Sequence, residues 1–81
     1  DANLKIEVLP NPSSDGKFKI NLTNVKSQVD YVVYDESGKR ILKGIITPHT
    51  STVELEIPVT GLFTLQIMDG NKIYYKKLIR I

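Results

Sequence analysis

The strongest constraint on the fold is an alternation of apolar and polar residues that recurs along most of the chain. A period of two residues places the apolar side chains of an extended strand on one face, where a second sheet can cover them. No segment shows the longer period of an amphipathic helix. Seven apolar segments are predicted strands: residues 4–8, 18–22, 29–34, 41–46, 53–57, 63–67 and 73–81.

Turn-forming residues separate these segments. Residues 10–16 contain two prolines, which fix φ and lack an N–H, and a glycine that accepts a positive φ. Residues 35–38 and 69–71 have the composition of tight hairpin turns, and Pro58 and Gly61 bracket another turn. Turns at a spacing of roughly 8–12 residues are typical of antiparallel sandwiches. We therefore predict an all-β fold, a seven-stranded antiparallel immunoglobulin-like β-sandwich.

Composition limits the chain to one small domain and excludes several kinds of site. The 81 residues, of which 41% are hydrophobic and 25% charged, suit one folded domain. The net charge of +2 is dispersed, which argues against a nucleic-acid partner. The absence of cysteine excludes disulfides and thiolate metal sites. No apolar run is long enough for a transmembrane segment.

Residues that carry chemistry are few and scattered. His49 is the only histidine, and we predict a solvated loop residue rather than a catalytic base. Asp35 and Asp69 lie in predicted turns, and Glu54 and Glu56 alternate with apolar neighbours on a predicted solvated strand face. The sequence has no nucleophile elbow and no glycine-rich phosphate loop. We therefore predict that the domain is not an enzyme and has no catalytic residue, metal site or cofactor.

Aromatic residues give little support for sugar binding. Carbohydrate platforms favour exposed rings, above all tryptophan, and the chain has no tryptophan. We predict that Tyr31 and Tyr75 lie in the core and that Tyr34 and Tyr74 face outward. Two outward rings make a weak sugar platform.

Basic residues accumulate near the end of the chain, and two interpretations stay open. Lys72, Lys76, Lys77 and Arg80 surround apolar residues of the last predicted strand. Lysines on an edge strand protect it against aggregation. Alternatively, the strand is a docking site that offers unpaired backbone groups, or the Ile81 carboxylate, to a partner.

Four motifs follow one another along the chain. They are the Leu-Pro-Asn-Pro of residues 9–12 with Gly16, the Asp-Glu-Ser-Gly-Lys of residues 35–39, the Gly-Leu-Phe of residues 61–63 and the Lys-Lys-Leu-Ile-Arg-Ile of residues 76–81. Each motif is weak alone, but in this order and spacing the chain resembles the type A C-terminal sorting domain of the type IX (Por) secretion system of Bacteroidota. The resemblance covers residues 4–81.

The resemblance implies a role in protein transport. In this family the folded domain directs an upstream cargo domain of the same polypeptide from the periplasm through an outer-membrane translocon. Shuttle components and a sortase-like protease complete the expected partners. The protease removes the domain in many cases, and the cargo can then be attached to lipopolysaccharide. The implied localisation is secreted or cell surface.

The same resemblance divides the chain and marks its recognition residues. The chain starts at Asp1 without an initiator methionine or signal peptide, which we interpret as an excised piece or mature product. Residues 1–3 are expected to be the end of the linker from the cargo, and residues 4–81 the sorting domain. Partner recognition is expected at Pro10, Asn11, Pro12, Gly16, Asp35, Gly38, Lys39, Gly61, Lys76, Lys77, Arg80 and Ile81.

Two other functions stay open. The first is an immunoglobulin-like or fibronectin-like accessory module for adhesion or carbohydrate binding, although the tryptophan and cysteines common in such cores are missing. The second is a fragment of an enzyme whose catalytic residues lie upstream, which would assign no chemistry to these residues.

Overall fold

The seven predicted strands are all present in the computed structural model, which describes residues 3–49 and 51–81. These residues contain no helix, and so none that could cross a membrane. The strands are β1 (Lys5–Leu9), β2 (Lys17–Thr23), β3 (Val29–Tyr34), β4 (Arg40–Ile46), β5 (Thr52–Glu56), β6 (Gly61–Asp69) and β7 (Lys72–Arg80).

The strands form two sheets, and every named pairing is antiparallel. One sheet has the order β1-β2-β5, and the other has the order β4-β3-β6-β7. The fourth strand pairs with the third, whereas in a constant-type immunoglobulin domain it joins the sheet of the first, second and fifth strands. The predicted β-sandwich is confirmed.

The core lies between the sheets and consists of the apolar side chains that the alternation places on the inner faces. Phe18 and Ile20 of β2 are buried, as is Leu55 of β5, which lies opposite Phe18. Leu65 and Ile67 of β6 are buried on the facing sheet. Burial of each such side chain contributes about 1.5–3 kcal/mol to folding. The other members of the buried apolar cluster are Leu4, Leu22, Val29, Val33, Ile46, Ile57, Phe63 and Leu78.

The tyrosine predictions are wrong at two positions, both in β7. Tyr74 lies opposite the buried Ile67 and packs against the core, whereas Tyr75 lies opposite Gln66 on the outer face and is 62% exposed. Three consecutive large apolar or aromatic residues, 73–75, hide the period of two, so the pairing with β6 decides the facing. Tyr31 packs against the core as predicted.

A matched pair of substitutions tests this facing. Ile67→Val and Ile73→Val each remove one methylene, but Ile67 is fully buried and Ile73 is 53% exposed. We expect Ile67→Val to lower the free energy of unfolding by about 0.5–1.5 kcal/mol. Ile73→Val should stay within about 0.5 kcal/mol of wild type. Urea denaturation measures both, and equal losses would contradict the assigned facing of β7.

Candidate recognition surface

Topology brings the predicted recognition motifs to one end of the sandwich. Because successive strands run in opposite directions, the β1–β2, β3–β4 and β5–β6 connections and the end of β7 all lie at the same end. Gly61, at the start of β6, pairs with Arg80, at the end of β7. We call residues 10–16 the proline loop, and this end of the molecule the proline-loop end.

The proline loop docks on the free edge of β7 and takes the place of a neighbouring strand. The Asn11 side chain donates from Nδ2 to the Lys77 carbonyl (2.6 Å) and accepts at Oδ1 from the Ile79 N–H (2.9 Å). The backbone of Ser13 continues the pattern, donating to the Ile79 carbonyl (2.8 Å) and accepting from the Ile81 N–H (3.0 Å). The Leu9–Pro10 and Asn11–Pro12 peptide bonds are both cis.

This docking corrects one expectation about the last strand. The end of β7 does not offer unpaired backbone groups between residues 77 and 81, because Asn11 and Ser13 already bind its edge. The sequence predicted an edge strand here but not the loop that binds to part of its edge. An asparagine between two prolines was the available signal, since a carboxamide has one donor group and one acceptor like a peptide bond.

Ser13 is a structural residue of the loop that the sequence reading missed. It is fully buried, and its Oγ accepts from the Gly16 N–H (3.0 Å). The same Oγ lies 2.9 Å from the Lys17 carbonyl and 3.0 Å from Asp15 Oδ1, so its hydroxyl can donate to either. The N–H of Lys17 and the Ser13 hydroxyl stabilise the carboxylate, which lowers the pKa of Asp15.

Gly16 and Arg80 join the loop to Ile57, which directly follows β5 of the three-stranded sheet. Gly16 has φ of +84°, and its carbonyl accepts from the Ile57 N–H (2.8 Å). A Cβ at this position would overlap the Ile57 carbonyl oxygen and lie 2.7 Å from Arg80 Nε. Arg80 donates from Nε to the Ile57 carbonyl (3.2 Å) and from a terminal nitrogen to the Ser14 carbonyl (2.7 Å). Gly16 and Arg80 therefore stabilise the structure of the domain itself.

The β3–β4 turn is closed by one carboxylate. Asp35 Oδ1 accepts from the Ser37 N–H (2.9 Å), the Ser37 hydroxyl (2.6 Å) and the Lys39 N–H (2.9 Å). The Ser37 hydroxyl and the Lys39 N–H lower the pKa of Asp35. Gly38 has φ of +87°, as the turn requires. A shallow pocket of about 220 Å³ separates this turn from Gly61 and its neighbours.

The structure divides the predicted recognition residues into two groups. Five have hydrogen bonds or backbone conformations that build the proline-loop end: Asn11, Gly16, Asp35, Gly38 and Arg80. Asn11 and Gly38 are also exposed, and so are the six residues of the second group: Pro10, Pro12, Lys39, Lys76, Lys77 and Ile81. Gly61 is half-buried beside the β3–β4 turn. Lys76 stands apart from the others, because it lies halfway along β7 opposite Leu65.

Other predicted features have simple outcomes. His49 is exposed, as predicted. No group of three or more potential metal-ligating side chains occurs among the described residues. Asp1 and Ala2 of the predicted linker lie outside the described residues. Asn3 lies at the end opposite the proline loop, where it accepts hydrogen bonds from Asn24 (2.9 Å) and Lys72 (3.2 Å).

The fold and this end of it define the class of protein, a small β-sandwich that presents an ordered loop surface. The family model of the secretion system C-terminal sorting domain matches residues 7–81. The chain therefore belongs to the family of secretion-system C-terminal sorting domains, which act as sorting signals for the type IX secretion system. Such a signal implies export across the outer membrane to the cell surface or the medium. No curated protein matches the chain.

Two glycine substitutions test how tightly the loop is fitted. Both Gly16 and Gly38 have positive φ, but a Cβ at Gly38 meets no atom within 4 Å. We expect Gly38→Ala to cost about 1–2 kcal/mol for the left-handed conformation. Gly16→Ala should cost at least about 2 kcal/mol more because it must also displace Ile57 or Arg80. Thermal unfolding measures both, and equal losses would contradict the tight fit.

The Asp35 carboxylate predicts a pH dependence. Because the pKa of Asp35 is lower in the folded state, its stabilisation is complete above the unfolded pKa of about 3.9 and is lost as pH falls through the folded pKa. We expect Asp35→Asn to lower the melting temperature at pH 7. The variant should also lose less of its melting temperature than wild type between pH 5 and pH 2. An unchanged acid slope in the variant would contradict this role.

Proposed function

We propose that this domain directs an upstream cargo through the type IX outer-membrane translocon by presenting the proline-loop end in folded form. The observation that carries the proposal is the docking of the proline loop on β7 through Asn11 and Ser13. This docking joins motifs that are up to 68 residues apart in sequence into one surface. The contribution of the domain is recognition rather than catalysis.

The contact residues in this proposal are exposed members of the second group that lie at or near the proline-loop end. Lys39 and Lys77 are exposed cations at or near the proline-loop end, and Ile81 is 62% exposed there. Exposed charges of this kind guide encounter with a partner of opposite charge. Pro10 and Pro12 are also exposed, and they restrict the loop, which reduces the entropy lost when a partner orders it.

The cargo would be attached at the far end of the sandwich. Asn3 precedes β1 and lies beside Lys72, at the end opposite the proline loop. This placement keeps an upstream domain clear of the proposed contact residues. A sortase-like protease would then cleave the linker before β1, with the cargo released or attached to lipopolysaccharide at the cell surface.

An export assay tests the proposal. Residues 1–81 are fused to the C-terminus of a fluorescent reporter with a periplasmic signal peptide and expressed in a Bacteroidota host with or without the translocon. We expect surface or medium fluorescence only when the translocon is present. Replacing Lys39 and Lys77 together with alanine should lower export about fivefold, because each exposed charge contact contributes about 0.2–1 kcal/mol.

The matched control removes two lysines at the opposite end of the sandwich. Lys5 begins β1 and Lys26 lies in the β2–β3 connection, and both are exposed. Their double alanine variant should be exported like wild type, and both double variants should keep the wild-type melting temperature. Equal export of the two variants would show that the lysines are not part of the recognition surface. A folded wild-type fusion retained in the periplasm of both hosts would overturn the proposal.

A further inference from the structure

The edge of β7 is open between the β6–β7 turn and the proline loop. The backbone groups of Lys77, Ile79 and Ile81 that point away from β6 bind the loop. Because backbone groups alternate in direction along a strand, the N–H and C=O of Ile73 and Tyr75 point the same way. No strand of the described chain pairs with this edge at these residues, and the bridge to the loop is at Arg80. The open segment therefore offers a short, ordered row of donors and acceptors.

The side chains of the open segment make its outer face apolar. Ile73 and Tyr75 are 53% and 62% exposed. Gln66 accepts from the Tyr34 hydroxyl (3.1 Å) and donates to the Tyr75 hydroxyl (3.2 Å), which fixes the Tyr75 ring against the sheet. A fixed ring loses little conformational entropy when a partner covers it.

The two outer faces of the sandwich differ in chemistry. On the three-stranded sheet, residues between the inward positions are polar except at the end of β1: Lys5, Glu7, Leu9, Lys17, Lys19, Asn21, Thr23, Thr52, Glu54 and Glu56. On the four-stranded sheet, one row across the strands is Ile45, Asp30, Met68 and Ile73. The neighbouring row is Lys43, Val32, Gln66 and Tyr75, and its Val32 is 8% exposed. On this sheet the apolar side chains of Met68 and Ile73 thus extend to the open edge.

The lysines of β7 define the charge of a strand that fits this edge. Lys76 lies opposite Leu65 and so on the inner side of the sheet, and Lys77 is its neighbour on the outer side. A second copy paired antiparallel through Ile73 and Tyr75 would place Lys72 opposite Lys76 of that copy. Like charges directly opposite one another destabilise a strand pair. The edge of β7 therefore disfavours pairing with the same edge of a second copy and favours a strand that carries carboxylates.

We propose that residues 73–76 of β7 are a strand-addition site for an extended segment of another protein. That segment has apolar side chains opposite Ile73 and Tyr75 and carboxylates on its other face, near Lys76. Main-chain hydrogen bonds would supply affinity, and the alternating side chains would supply selectivity. This inference stands apart from the sorting proposal, because it concerns an edge that the proline loop leaves uncovered.

The other sheet edges are less suited to strand addition. β1 and β5 have five residues each, and the exposed side chains of β5 include Glu54 and Glu56. The pairing of β3 with β4 shifts register between Val33 and Tyr34. Such irregularities and short edges are common ways of blocking further pairing.

Nuclear magnetic resonance with synthetic strands tests the site on the whole domain. The probe is the peptide Ac-EVEVEVE-NH2, in which valines would face Ile73 and Tyr75. We expect it to shift the amide signals of these two residues and to slow their hydrogen exchange. The control peptide Ac-EVEPEVE-NH2 keeps the charge but lacks a central donor, and Ac-KVKVKVK-NH2 reverses the charge. Both controls should bind at least about threefold more weakly.

A charge reversal on the protein completes the test. Lys76 is exposed, so Lys76→Glu should fold like wild type. It should weaken binding of the glutamate peptide and strengthen binding of the lysine peptide, each by about threefold. Binding of the proline peptide as tight as that of the glutamate peptide would overturn strand addition. So would shifts confined to other residues, or exchange of the Ile73 and Tyr75 amides that is already slow in the free domain at low concentration.

Discussion

The proline-loop end depends on the binding of one loop to the edge of one strand. The Asn11 carboxamide bridges the Lys77 carbonyl and the Ile79 N–H, as a peptide group of an added strand would. Ser13 then supplies the next pair of backbone bonds. With the loop in this position, Gly16 reaches Ile57, and Arg80 can bind both the loop and the other sheet. One docked loop thus connects the first strand, the last strand and the opposite sheet.

This arrangement solves two problems with the same residues. An exposed strand edge invites pairing with other chains, and a loop that crosses the end of a sandwich carries backbone groups that need partners. The proline loop covers the end of β7 while β7 satisfies the loop. Ser13, although buried, has hydrogen-bond partners within the loop, and no buried side-chain polar atom among the described residues lacks one. The hydrogen bonds of the loop backbone therefore also hold the loop in place.

The sequence predicted the strands and turns because their determinants are local. An apolar period of two and turn residues with special φ values act within a few residues, and all seven strands were found where these signals lay. The facing of β7 was not local, because residues 73–75 offer apolar side chains to both faces and only the register with β6 resolves them. Ser13 was missed for the same reason. A small polar residue in a loop has no sequence pattern that announces its burial, which arises from β7 and Lys17.

Under the proposed function, the division between residues that build the surface and residues that contact a partner makes recognition depend on the folded domain. In an extended chain the Asn11 carboxamide, Gly16 and the Arg80 guanidinium are distant from one another and free to move. In the folded domain hydrogen bonds hold them together at one end of the sandwich, and the exposed Lys39 and Lys77 lie at or near that end. Recognition of that surface, as proposed, would require the pairing of β6 with β7 and the docking of the loop. A partner that binds the folded surface stabilises it by mass action, and an unfolded copy has nothing equivalent to offer. In the proposed function, motifs that look like a linear signal in the sequence would act as a conformational one.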